Sequence, residues 1–390
     1  MKKTSLKIFA GIVIFLLILL TLEFTLRLSK PQVTFSKAVE NSIDCYSEDS
    51  LVPFSLGKNY TCKMANIAGE FKTYARLNNQ GYRGKDFSEK KSGGTSRILV
   101  IGDSMTFGWG VSDKETYPYL LEDMLRSNGF SNVEVINGGY AGGLSVDSYY
   151  VYLKNRGLKL KPDIIILGFT VFNDISDLAE TVWLKKDING LPEKIDSCCH
   201  KVDGKIYRNK VISMKYRYPL LRESHLFLYL VDTLQKKFGL FREEALLAPK
   251  SETIIGCVLN SDCIDQFKNE EETAYKMIGE IKKLSDENNI RFLTVLFPTD
   301  LQLYNEASSK YNRYGMKWYP KDGEENFIGK RVEESLTKLN INVLDLYPVF
   351  SQQKDGNYPF FPIDAHFNGF GTSIVADSLA KYLIENRFLL

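Results

Sequence analysis

The sequence has little histidine: its 390 residues contain only His200, His225 and His366. These histidines are scattered, and the cysteines lack the paired C-x-x-C spacing that is typical of zinc sites. We therefore expect neither a metal ion nor another cofactor. The net charge is only +2, and no Lys/Arg-rich block follows the N-terminus, so we expect no nucleic-acid partner. No internal repeat or low-complexity segment is present either.

The sequence does contain a long apolar run near its N-terminus. Residues 8–22 carry no charge and follow three lysines, and the run continues through Leu28 with one Glu and one Arg. Through that residue it reaches roughly 30 Å, enough to cross the hydrocarbon core of a bilayer. A cleaved signal peptide is the alternative, but no small-x-small cleavage site follows the run. We predict that residues 1–30 are a cytoplasmic tip and an uncleaved signal anchor in the cell membrane, with the rest of the chain outside the cytoplasm.

The six cysteines fit an exported chain, because an even number in that setting favours disulfides. Nearness in the sequence suggests the pairs Cys45–Cys62, Cys257–Cys263 and Cys198–Cys199. The last pair joins adjacent cysteines, which is a strained arrangement, so the connectivity stays open.

The chain after the anchor divides into a preface and a main domain. Residues 31–95 are polar and turn-rich, and we interpret them as an extracytoplasmic preface. In residues 96–390, strand-like apolar runs alternate with helical spacing, which predicts a parallel sheet covered on both faces. The predicted strands are 98–102, 133–137, 163–169, 291–297 and 342–346, and the predicted helices are 116–127, 146–157, 271–288, 324–339 and 371–386.

An insertion at about residues 176–268 interrupts this alternation of strands and helices. It holds four of the six cysteines and many aromatic residues. We interpret it as a segment over the carboxyl edge of the sheet, and therefore as a lid or a substrate wall. A packed surface subdomain is the alternative.

The stretch ILVIGDSMTFGWGV, residues 98–111, organises the rest of the chain. Its apolar start and its glycine suit a buried parallel strand that ends in a tight turn. The turn would lift Ser104 to the carboxyl edge of the sheet, where open α/β folds bind ligands. A helix is predicted to follow, and its backbone N–H groups can face an anion. Ser104 is therefore a candidate nucleophile, although a Gly-Asp-Ser turn without chemistry fits these residues equally well.

A nucleophilic serine needs a base, and its substrate needs donors for the oxyanion. His366 lies between the last strand and the last helix, at the same predicted edge, and Asp364 can orient its imidazole. The other two histidines lie in the insertion, and we interpret them as surface or packing residues. For donors, residues 135–143 read VINGGYAGG, a turn whose backbone can approach a substrate closely. Asn173 follows the third strand and offers a side-chain amide.

These four features resemble the four sequence blocks of the SGNH (GDSL-type) hydrolases. The blocks are GDSMTFG, the glycine turn after the next strand, FND after the third strand, and the Asp/His pair before the last helix. The resemblance covers about residues 96–384, with a large insertion. The preface motif LNNQGYRGKDF and the anchor are similar to those of membrane-tethered bacterial members. The resemblance implies a flavodoxin-like three-layer α/β/α sandwich with a five-stranded parallel sheet, and acyl-ester hydrolysis or acyl transfer.

Carried onto this sequence, the resemblance also implies a role for each site residue. Ser104 is the nucleophile, His366 is the base, and Asp364 is the acid that orients the base. The oxyanion hole consists of the Ser104 N–H, the Gly142 N–H and the side chain of Asn173.

Two details differ from the usual family pattern or stay open. The usual spacing is Asp-x-x-His, which would place the acid at Ile363, whereas Asp364 lies one position later. Asp-x-His-x-Asn occurs in relatives that handle polysaccharide acetyl groups, and a Ser–His dyad is the alternative. The glycine turn offers three further candidate donors besides Gly142, namely Gly138, Gly139 and Gly143. We interpret Asp103 and Asp174 as hydrogen-bond acceptors that shape turns, and not as catalysts.

The sequence thus predicts a serine esterase that hydrolyses acyl esters, in particular O-acetyl esters of an envelope or secreted carbohydrate. An anchored domain outside the cytoplasm meets such glycans, and aromatic residues can stack on sugar rings. The alternatives are a lipid or small-molecule esterase, a polysaccharide O-acetyltransferase with the same residues, and a non-catalytic glycan-binding envelope protein. Hydrolase and transferase differ in how well water is excluded from the acyl-enzyme. Nothing in the pattern predicts an oligomeric state.

Overall fold

The structure is a computed structural model, and it describes residues 2–40, 45–66, 69–140, 142, 144–196, 199–202, 205–208, 214–238, 257–304, 307, 323–353 and 358–389. The chain divides into two compact units. One unit combines residues 1–42 with 210–249, and the other combines residues 43–209 with 250–390. The predicted domain boundaries, at residues 30 and 95 and at the ends of the insertion, stay predictions.

A five-stranded parallel sheet forms the centre of the larger unit. The strands of the chain are β1 (Tyr46–Ser47), β2 (Ser55–Leu56), β3 (Tyr60–Ala65), β4 (Lys72–Leu77), β5 (Ser96–Gly102), β6 (Val133–Gly139), β7 (Ile164–Thr170), β8 (Trp183–Lys186), β9 (Pro192–Ile195), β10 (Cys199–Val202), β11 (Lys205–Arg208), β12 (Arg291–Phe297) and β13 (Asn342–Asp345). Five of them pair in parallel in the order β13-β12-β7-β5-β6. The chain leaves β5 towards β6 and returns to β7 on the other side. The carboxyl end of β5 is therefore a topological switch point, where α/β folds have a crevice.

Helices connect these strands and cover both faces of the sheet. They are α1 (Lys2–Ser29), α2 (Phe35–Glu40), α3 (Ser104–Phe107), α4 (Tyr117–Ser127), α5 (Val146–Asn155), α6 (Asp177–Glu180), α7 (Met214–Arg217), α8 (His225–Phe238), α9 (Lys268–Glu287), α10 (Asp300–Leu303), α11 (Phe327–Lys338), α12 (Tyr347–Ser351) and α13 (Gly369–Glu385). Helices α4 and α13 pack together on one face of the sheet, and α5, α9 and α11 pack on the other. The predicted three-layer α/β/α sandwich is confirmed.

The apolar run that begins at residue 98 is buried on both faces of the sheet. Ile98 and Val100 belong to one buried cluster together with Leu121 of α4, whereas Leu99 and Ile101 belong to a second cluster with residues of α5 and α9. Alternate residues of a strand point to opposite faces, so a strand covered on both sides must be apolar throughout. This explains why the run is continuous instead of alternating with polar residues.

The predicted strands and helices are confirmed, with boundaries that differ by up to three residues. The difference at β6 affects the site, because this strand continues through Gly138 and Gly139, which the sequence analysis placed in the turn. A Cβ at Gly138 would lie 2.8 Å from the Val100 carbonyl oxygen, and one at Gly139 would lie 2.2 Å from Phe107 N. These glycines allow β6 to pass closely against β5 and α3.

The preface forms two antiparallel hairpins, β1–β2 and β3–β4. The Cys45–Cys62 disulfide joins them, as the spacing predicted. Both cysteines are buried in a cluster that includes Phe71 and Phe107, the last residue of α3. The preface therefore packs directly against the segment that carries Ser104.

The insertion contains the hairpins β8–β9 and β10–β11 and the short helix α6. At its end, Cys257 and Cys263 form the second predicted disulfide. Cys198 and the side chain of Cys199 lie outside the described residues, so their pairing stays a prediction.

The smaller unit contains the N-terminal helix. Residues 6–29 of α1 form a stretch of 24 residues that is long and apolar enough to cross a membrane. Helices α7 and α8, which come from the insertion, belong to the same unit as α1 and α2. An N-terminal anchor or signal is thus supported, and its orientation and retention stay predictions.

Candidate active site

Ser104 follows β5 directly and is the first residue of α3. The preceding residue, Asp103, caps this helix, because Asp103 Oδ1 accepts a hydrogen bond from Met105 N at 2.9 Å. Glycine is required at position 102, since a Cβ there would lie 2.2 Å from Thr106 Oγ1. The Gly-Asp-Ser order therefore lets the chain turn sharply and leaves Ser104 half-buried at the carboxyl edge of the sheet.

Ser104, His366 and Asp364 form a chain of hydrogen bonds. Ser104 Oγ lies 2.8 Å from His366 Nε2, and His366 Nδ1 lies 2.5 Å from Asp364 Oδ1. The structure thus brings together the three residues that the sequence predicts as nucleophile, base and acid. Their catalytic roles stay predictions.

The protonation states follow from the contacts of Asp364. Burial acts to raise the pKa of Asp364, but hydrogen bonds from His366 and Trp109 outweigh it, so the pKa is lowered and the carboxyl is ionised. An ionised carboxylate can only accept hydrogen bonds. His366 Nδ1 therefore carries a proton and donates a hydrogen bond to Asp364. The other ring nitrogen, Nε2, then accepts from the Ser104 hydroxyl. This is the tautomer that a general base requires.

The backbone at Ala365 accommodates the short Asp-x-His spacing. Ala365 has a φ of 71°, in the left-handed region that residues other than glycine rarely adopt. The turn is closed by two hydrogen bonds, one from Phe361 N to His366 O at 2.8 Å and one from Ala365 N to Phe361 O at 3.2 Å. With this turn, the carboxyl of Asp364 reaches the imidazole although only one residue separates them.

Glu70, in the preface between β3 and β4, holds the same turn. Glu70 Oε1 accepts from Ile363 N at 2.6 Å, and Glu70 Oε2 accepts from Asp364 N at 2.9 Å. Asn66 Nδ2 in turn donates to Glu70 Oε2 at 2.7 Å. Glu70 was not predicted from the sequence, because its partners lie 293 and 294 residues away and no local sequence pattern marks it.

Asn173 lies at the same cavity as Ser104. Its Nδ2 donates to Asp177 Oδ2 at 3.0 Å and lies 3.4 Å from Asp103 Oδ2. The amide nitrogen has two protons, and the contact to Asp177 fixes the orientation of the group. A substrate oxygen can replace the longer contact to Asp103, so Asn173 is available as a donor.

Gly142 also lines this cavity. A Cβ at Gly142 would lie 3.0 Å from Phe54 Cζ and 3.1 Å from Tyr46 Oη, so the backbone passes closely beneath the preface. Of the other candidate donors, Gly138 and Gly139 belong to β6, and Gly143 lies outside the described residues. The role of Gly142 in an oxyanion hole stays a prediction.

Two fully buried carboxyls lie beneath the site, and both act as hydrogen-bond acceptors, as the sequence analysis proposed. Asp103 accepts from Met105 N, and Asp174 Oδ2 accepts from Thr170 N at 2.7 Å. The Tyr149 hydroxyl lies 3.2 Å from Asp174 Oδ1 and also donates to the Leu144 carbonyl oxygen. Burial raises the pKa of both carboxyls, and the charge of Asp103 raises the pKa of Asp174 further.

Arg83, in the preface motif LNNQGYRGKDF, forms hydrogen bonds with the backbone of the segment that follows Ser104. It was not identified from the sequence. Its guanidinium is buried and donates to the carbonyl oxygens of Phe107, Gly108 and Val111 at 2.6–2.8 Å. Arg83 Nε also pairs with Asp113 at 2.9 Å. These bonds give the carbonyl oxygens of the tight turn a buried hydrogen-bond donor.

The cavity at Ser104 has a volume of about 420 Å³. Its wall includes Tyr46 of the preface, Trp109, Phe172 and Thr299. Of the described insertion residues that belong to the larger unit, none lines it, and the interpretation of the insertion as a lid or substrate wall stays a prediction. Helices α7 and α8 of the insertion instead belong to the unit of the N-terminal helix.

The remaining two histidines, His200 and His225, lie in the insertion. His225 Nδ1 accepts a hydrogen bond from Gln32 N at 2.8 Å within the smaller unit. The side chain of His200 lies outside the described residues. Across the described ranges, no group of three or more His, Cys, Asp or Glu residues could hold a metal ion.

The C-terminal part of the chain matches a protein-family model. Residues 261–389 match a family model described as an SGNH hydrolase-like domain of the acetyltransferase AlgX. This range includes Asp364 and His366 and lies after Ser104. Among curated proteins, none matches the sequence.

Solved structures of several esterases are similar to parts of the chain. An acetyl xylan esterase has 14% identity and a TM-score of 0.37 over 74% of this chain and 99% of its own. A lipase/acylhydrolase from Enterococcus faecalis has 14% identity and a TM-score of 0.38 over 75% of this chain and 97% of its own. An acetylxylan esterase from Geobacillus stearothermophilus has 11% identity and a TM-score of 0.38 over 75% of this chain and 95% of its own.

Proposed function

We propose that the chain is a serine esterase of O-acyl esters, in particular O-acetyl esters of an envelope or secreted carbohydrate, and the match of residues 261–389 to the model of an SGNH hydrolase-like domain supports this proposal. The observation that carries the proposal is the hydrogen-bonded chain from Ser104 through His366 to Asp364, with distances of 2.8 and 2.5 Å. A serine hydroxyl in this arrangement can lose its proton to the imidazole as it attacks a carbonyl carbon.

In the first proposed step, Ser104 Oγ attacks the ester carbonyl and His366 Nε2 takes its proton. The tetrahedral oxyanion accepts hydrogen bonds from the N–H groups of Ser104 and Gly142 and from the Asn173 amide. Asp364 stabilises the imidazolium. His366 then gives the proton to the alcohol oxygen of the sugar as the C–O bond breaks. The sugar leaves with a free hydroxyl, and the acyl group stays on Ser104.

In the second step, water releases the acyl group. His366 takes a proton from the water molecule as its oxygen attacks the acyl carbon, and the proton then returns to Ser104 Oγ as this oxygen leaves. The products are a free carboxylic acid and the original serine. Ser104, Asn173 and His366 are each partly exposed, so solvent can reach the acyl-enzyme. This exposure supports hydrolysis.

The cavity supports a short acyl group on a polar carrier. Its volume of about 420 Å³ suits a sugar ring with a small substituent. Trp109 and Phe172 offer apolar contacts, while Thr299 and Asn173 offer hydrogen-bonding groups. An acetyl methyl group against the apolar wall fits this distribution.

The location that we propose for the reaction is outside the cytoplasm. The disulfides Cys45–Cys62 and Cys257–Cys263 support it, because disulfides persist in oxidising compartments. The apolar helix α1 supports attachment to the cell membrane, and the lysines that precede its apolar stretch favour a cytoplasmic N-terminus.

The direct test is serine-dependent release of p-nitrophenol from p-nitrophenyl acetate by the full chain in detergent. We expect Ser104→Ala to abolish release, because the variant lacks the hydroxyl that forms the proposed acyl-enzyme. Ser127→Ala, at the exposed end of α4, is the matched control and should keep full activity. Circular dichroism would show that both variants are folded. Full activity of Ser104→Ala would rule out the nucleophile.

Acetyl transfer to a carbohydrate is the second candidate function, because the matching family model is that of an acetyltransferase. The same acyl-enzyme would then be attacked by a sugar hydroxyl, with His366 taking the proton of that hydroxyl. Supplying p-nitrophenyl acetate with unacetylated xylo- or manno-oligosaccharides separates the two functions. Free acetate alone would support the esterase, and Ser104-dependent acetylated oligosaccharide, detected by mass spectrometry, would support the transferase.

A further inference from the structure

The carboxyl of Glu23, near the end of the apolar helix α1, caps the first turn of helix α8. Glu23 accepts hydrogen bonds from the Ser224 hydroxyl at 2.9 Å and from the backbone N–H groups of His225 at 3.1 Å and Leu226 at 2.8 Å. It also pairs with Arg27 at 2.7 Å. A carboxylate at a helix N-terminus is stabilised by the free N–H groups and by the helix dipole. Helix α8 is therefore attached to the anchor helix at this point.

Further contacts attach the segment before α8 to the chain that leaves the anchor. Phe35 N donates to the Arg222 carbonyl oxygen at 3.1 Å, and the Arg222 guanidinium lies 3.9 Å from the centre of the Phe35 ring. The Tyr216 hydroxyl donates to the Val33 carbonyl oxygen at 2.9 Å. Residues 214–238 thus pack around the exit of the anchor helix.

The length of the anchor places this exit at a membrane boundary. A hydrocarbon core of about 30 Å takes about 20 helical residues. A core that begins at Leu6, the first residue of the apolar stretch, therefore ends near Thr25. Glu23, with its partners at the start of α8, lies within two residues of that boundary. Lys30 Nζ lies 4.9 Å from the centre of the Tyr229 ring, and Tyr and Lys are both common at such interfaces.

Large apolar side chains are exposed in this same segment. Leu220 is 95% exposed, and Tyr218, Leu221 and Leu230 are each 43–48% exposed. Leaving a leucine side chain in water is unfavourable relative to burying it. Neighbouring exposed apolar residues therefore mark a surface that is covered by a partner.

The charge of the segment indicates which partner covers it. Residues 214–238 contain five basic residues, Lys215, Arg217, Arg222, Lys236 and Lys237, and two acidic residues, Glu223 and Asp232. Exposed apolar residues next to an excess of basic residues are typical of segments that lie in the headgroup region of a membrane. Basic residues near the surface attract anionic lipids.

We propose that residues 214–238 are a second membrane-contacting element, which lies at the extracytoplasmic headgroup region beside the anchor, with Leu220 and Leu221 inserted among the lipids. The occupant of this apolar surface is the bilayer into which α1 inserts. The inference rests on α1 as a membrane span and is independent of the esterase activity. It gives this part of the insertion a role in membrane attachment.

Tryptophan fluorescence in vesicles tests this proposal. Leu220→Trp in the full chain is reconstituted into phosphatidylethanolamine/phosphatidylglycerol vesicles whose acyl chains carry bromine, and the signal of the three native tryptophans is subtracted with the wild type. We expect brominated lipid to quench the added tryptophan strongly and aqueous acrylamide to quench it weakly. Because residue 220 is fully exposed, the substitution should not disturb folding. Ile188→Trp is the control, because this residue of the larger unit is 100% exposed. It gives the acrylamide quenching expected of a tryptophan in water.

Two results would overturn the proposal. Quenching at position 220 by acrylamide alone would mean that the segment lies in water. Protection from both quenchers would mean that a protein, such as a second copy of the chain, covers it. Flotation of the wild-type chain with the vesicles establishes insertion of the anchor first, so failure of the anchor and failure of the second element are distinguishable.

Discussion

The single residue between Asp364 and His366 determines how the acid reaches the base. Ala365 adopts a φ of 71°, which costs a residue with a Cβ about 1 kcal/mol relative to an ordinary conformation. The cost is offset by the two hydrogen bonds that close the turn and by the contacts of Glu70. With this turn the Asp-x-His spacing places the carboxylate 2.5 Å from Nδ1. The geometry therefore favours a Ser-His-Asp triad over a Ser–His dyad.

Asp364→Asn tests the acid at the residue scale. We expect kcat to fall by about 10²–10⁴-fold, because an amide cannot hold the imidazole in the tautomer whose Nε2 accepts from Ser104. The measurement is steady-state kinetics on p-nitrophenyl acetate, with the melting temperature as a control for folding. A variant that keeps wild-type kcat would favour the Ser–His dyad.

Asn173→Ala tests the side-chain donor for the oxyanion. The loss of one preorganised donor typically costs about 2.7–4 kcal/mol, so we expect kcat to fall by about 10²–10³-fold with little change in KM. Asp177→Ala is an informative companion, because it removes only the partner that orients the amide at 3.0 Å. A larger loss in Asp177→Ala than in Asn173→Ala would argue against a direct role of the amide.

At the scale of elements, the β3–β4 hairpin of the preface contributes to the site through Glu70. Its two carboxylate oxygens accept the N–H groups of Ile363 and Asp364. Glu70 has no hydrogen bond to Ser104, so in the proposed reaction its role would be to position Asp364. The hairpin is therefore part of the arrangement around the nucleophile and is more than a linker to the anchor.

A series of variants at Glu70 tests this positioning role. We expect Glu70→Ala to lower kcat by about 10–10²-fold, since small displacements of a catalytic group cost rate steeply. Glu70→Gln keeps one acceptor oxygen and should lie between Glu70→Ala and the wild type. Lys72→Ala, an exposed residue of the same hairpin, is the matched control. Combined with Asp364→Asn, Glu70→Ala should add little further loss, and full additivity would contradict the role.

The strands and helices near the site were predictable because local pattern specifies them. The buried run at 98–102 and the apolar faces of the helices repeat at the period of each element, so their positions follow from the sequence. The partners of Glu70 and Arg83 could not be predicted in this way. Both residues lie in a polar, turn-rich segment, and their hydrogen bonds join it to backbone groups at distant positions in the chain.

At the scale of the whole molecule, the buried Asp174 makes folding stability depend on pH. Burial raises the pKa of Asp174 well above its usual value, and the charge of Asp103 adds to this effect. A group with a raised pKa in the folded state contributes stability that is present below its unfolded pKa of about 3.9. That contribution is lost as the pH rises through the folded pKa.

Asp174→Asn should therefore flatten the pH dependence of stability. Asparagine has the shape of the protonated carboxyl and can still accept from Thr170 N. We expect the melting temperature of the variant, relative to the wild type, to rise as the pH increases above the unfolded pKa of about 3.9, because the buried charge becomes unfavourable only in the folded wild type. Thermal unfolding followed by circular dichroism at several pH values gives this difference. A difference in melting temperature that is constant with pH would show that the protonation of Asp174 does not change on unfolding.

The larger organisation of the molecule was only partly predictable. The order of the four blocks along the chain placed Ser104, Asn173 and His366 at one edge, because the carboxyl ends of parallel strands meet there. The grouping of helices α7 and α8 with the N-terminal helix could not be predicted from the sequence, because it depends on contacts with Glu23 and residues 33–35. Such long-range contacts leave no periodic signal in either segment.

The Cys45–Cys62 disulfide has a consequence for one wall of the cavity at Ser104. Tyr46, which lines the cavity beside Gly142, directly follows Cys45, and its ring packs on Phe54 with centres 4.4 Å apart. A covalent link restricts this short hairpin far more than its few backbone hydrogen bonds do. We therefore expect reduction of this disulfide to loosen the Tyr46 side of the cavity while the buried strand β5 before Ser104 stays folded.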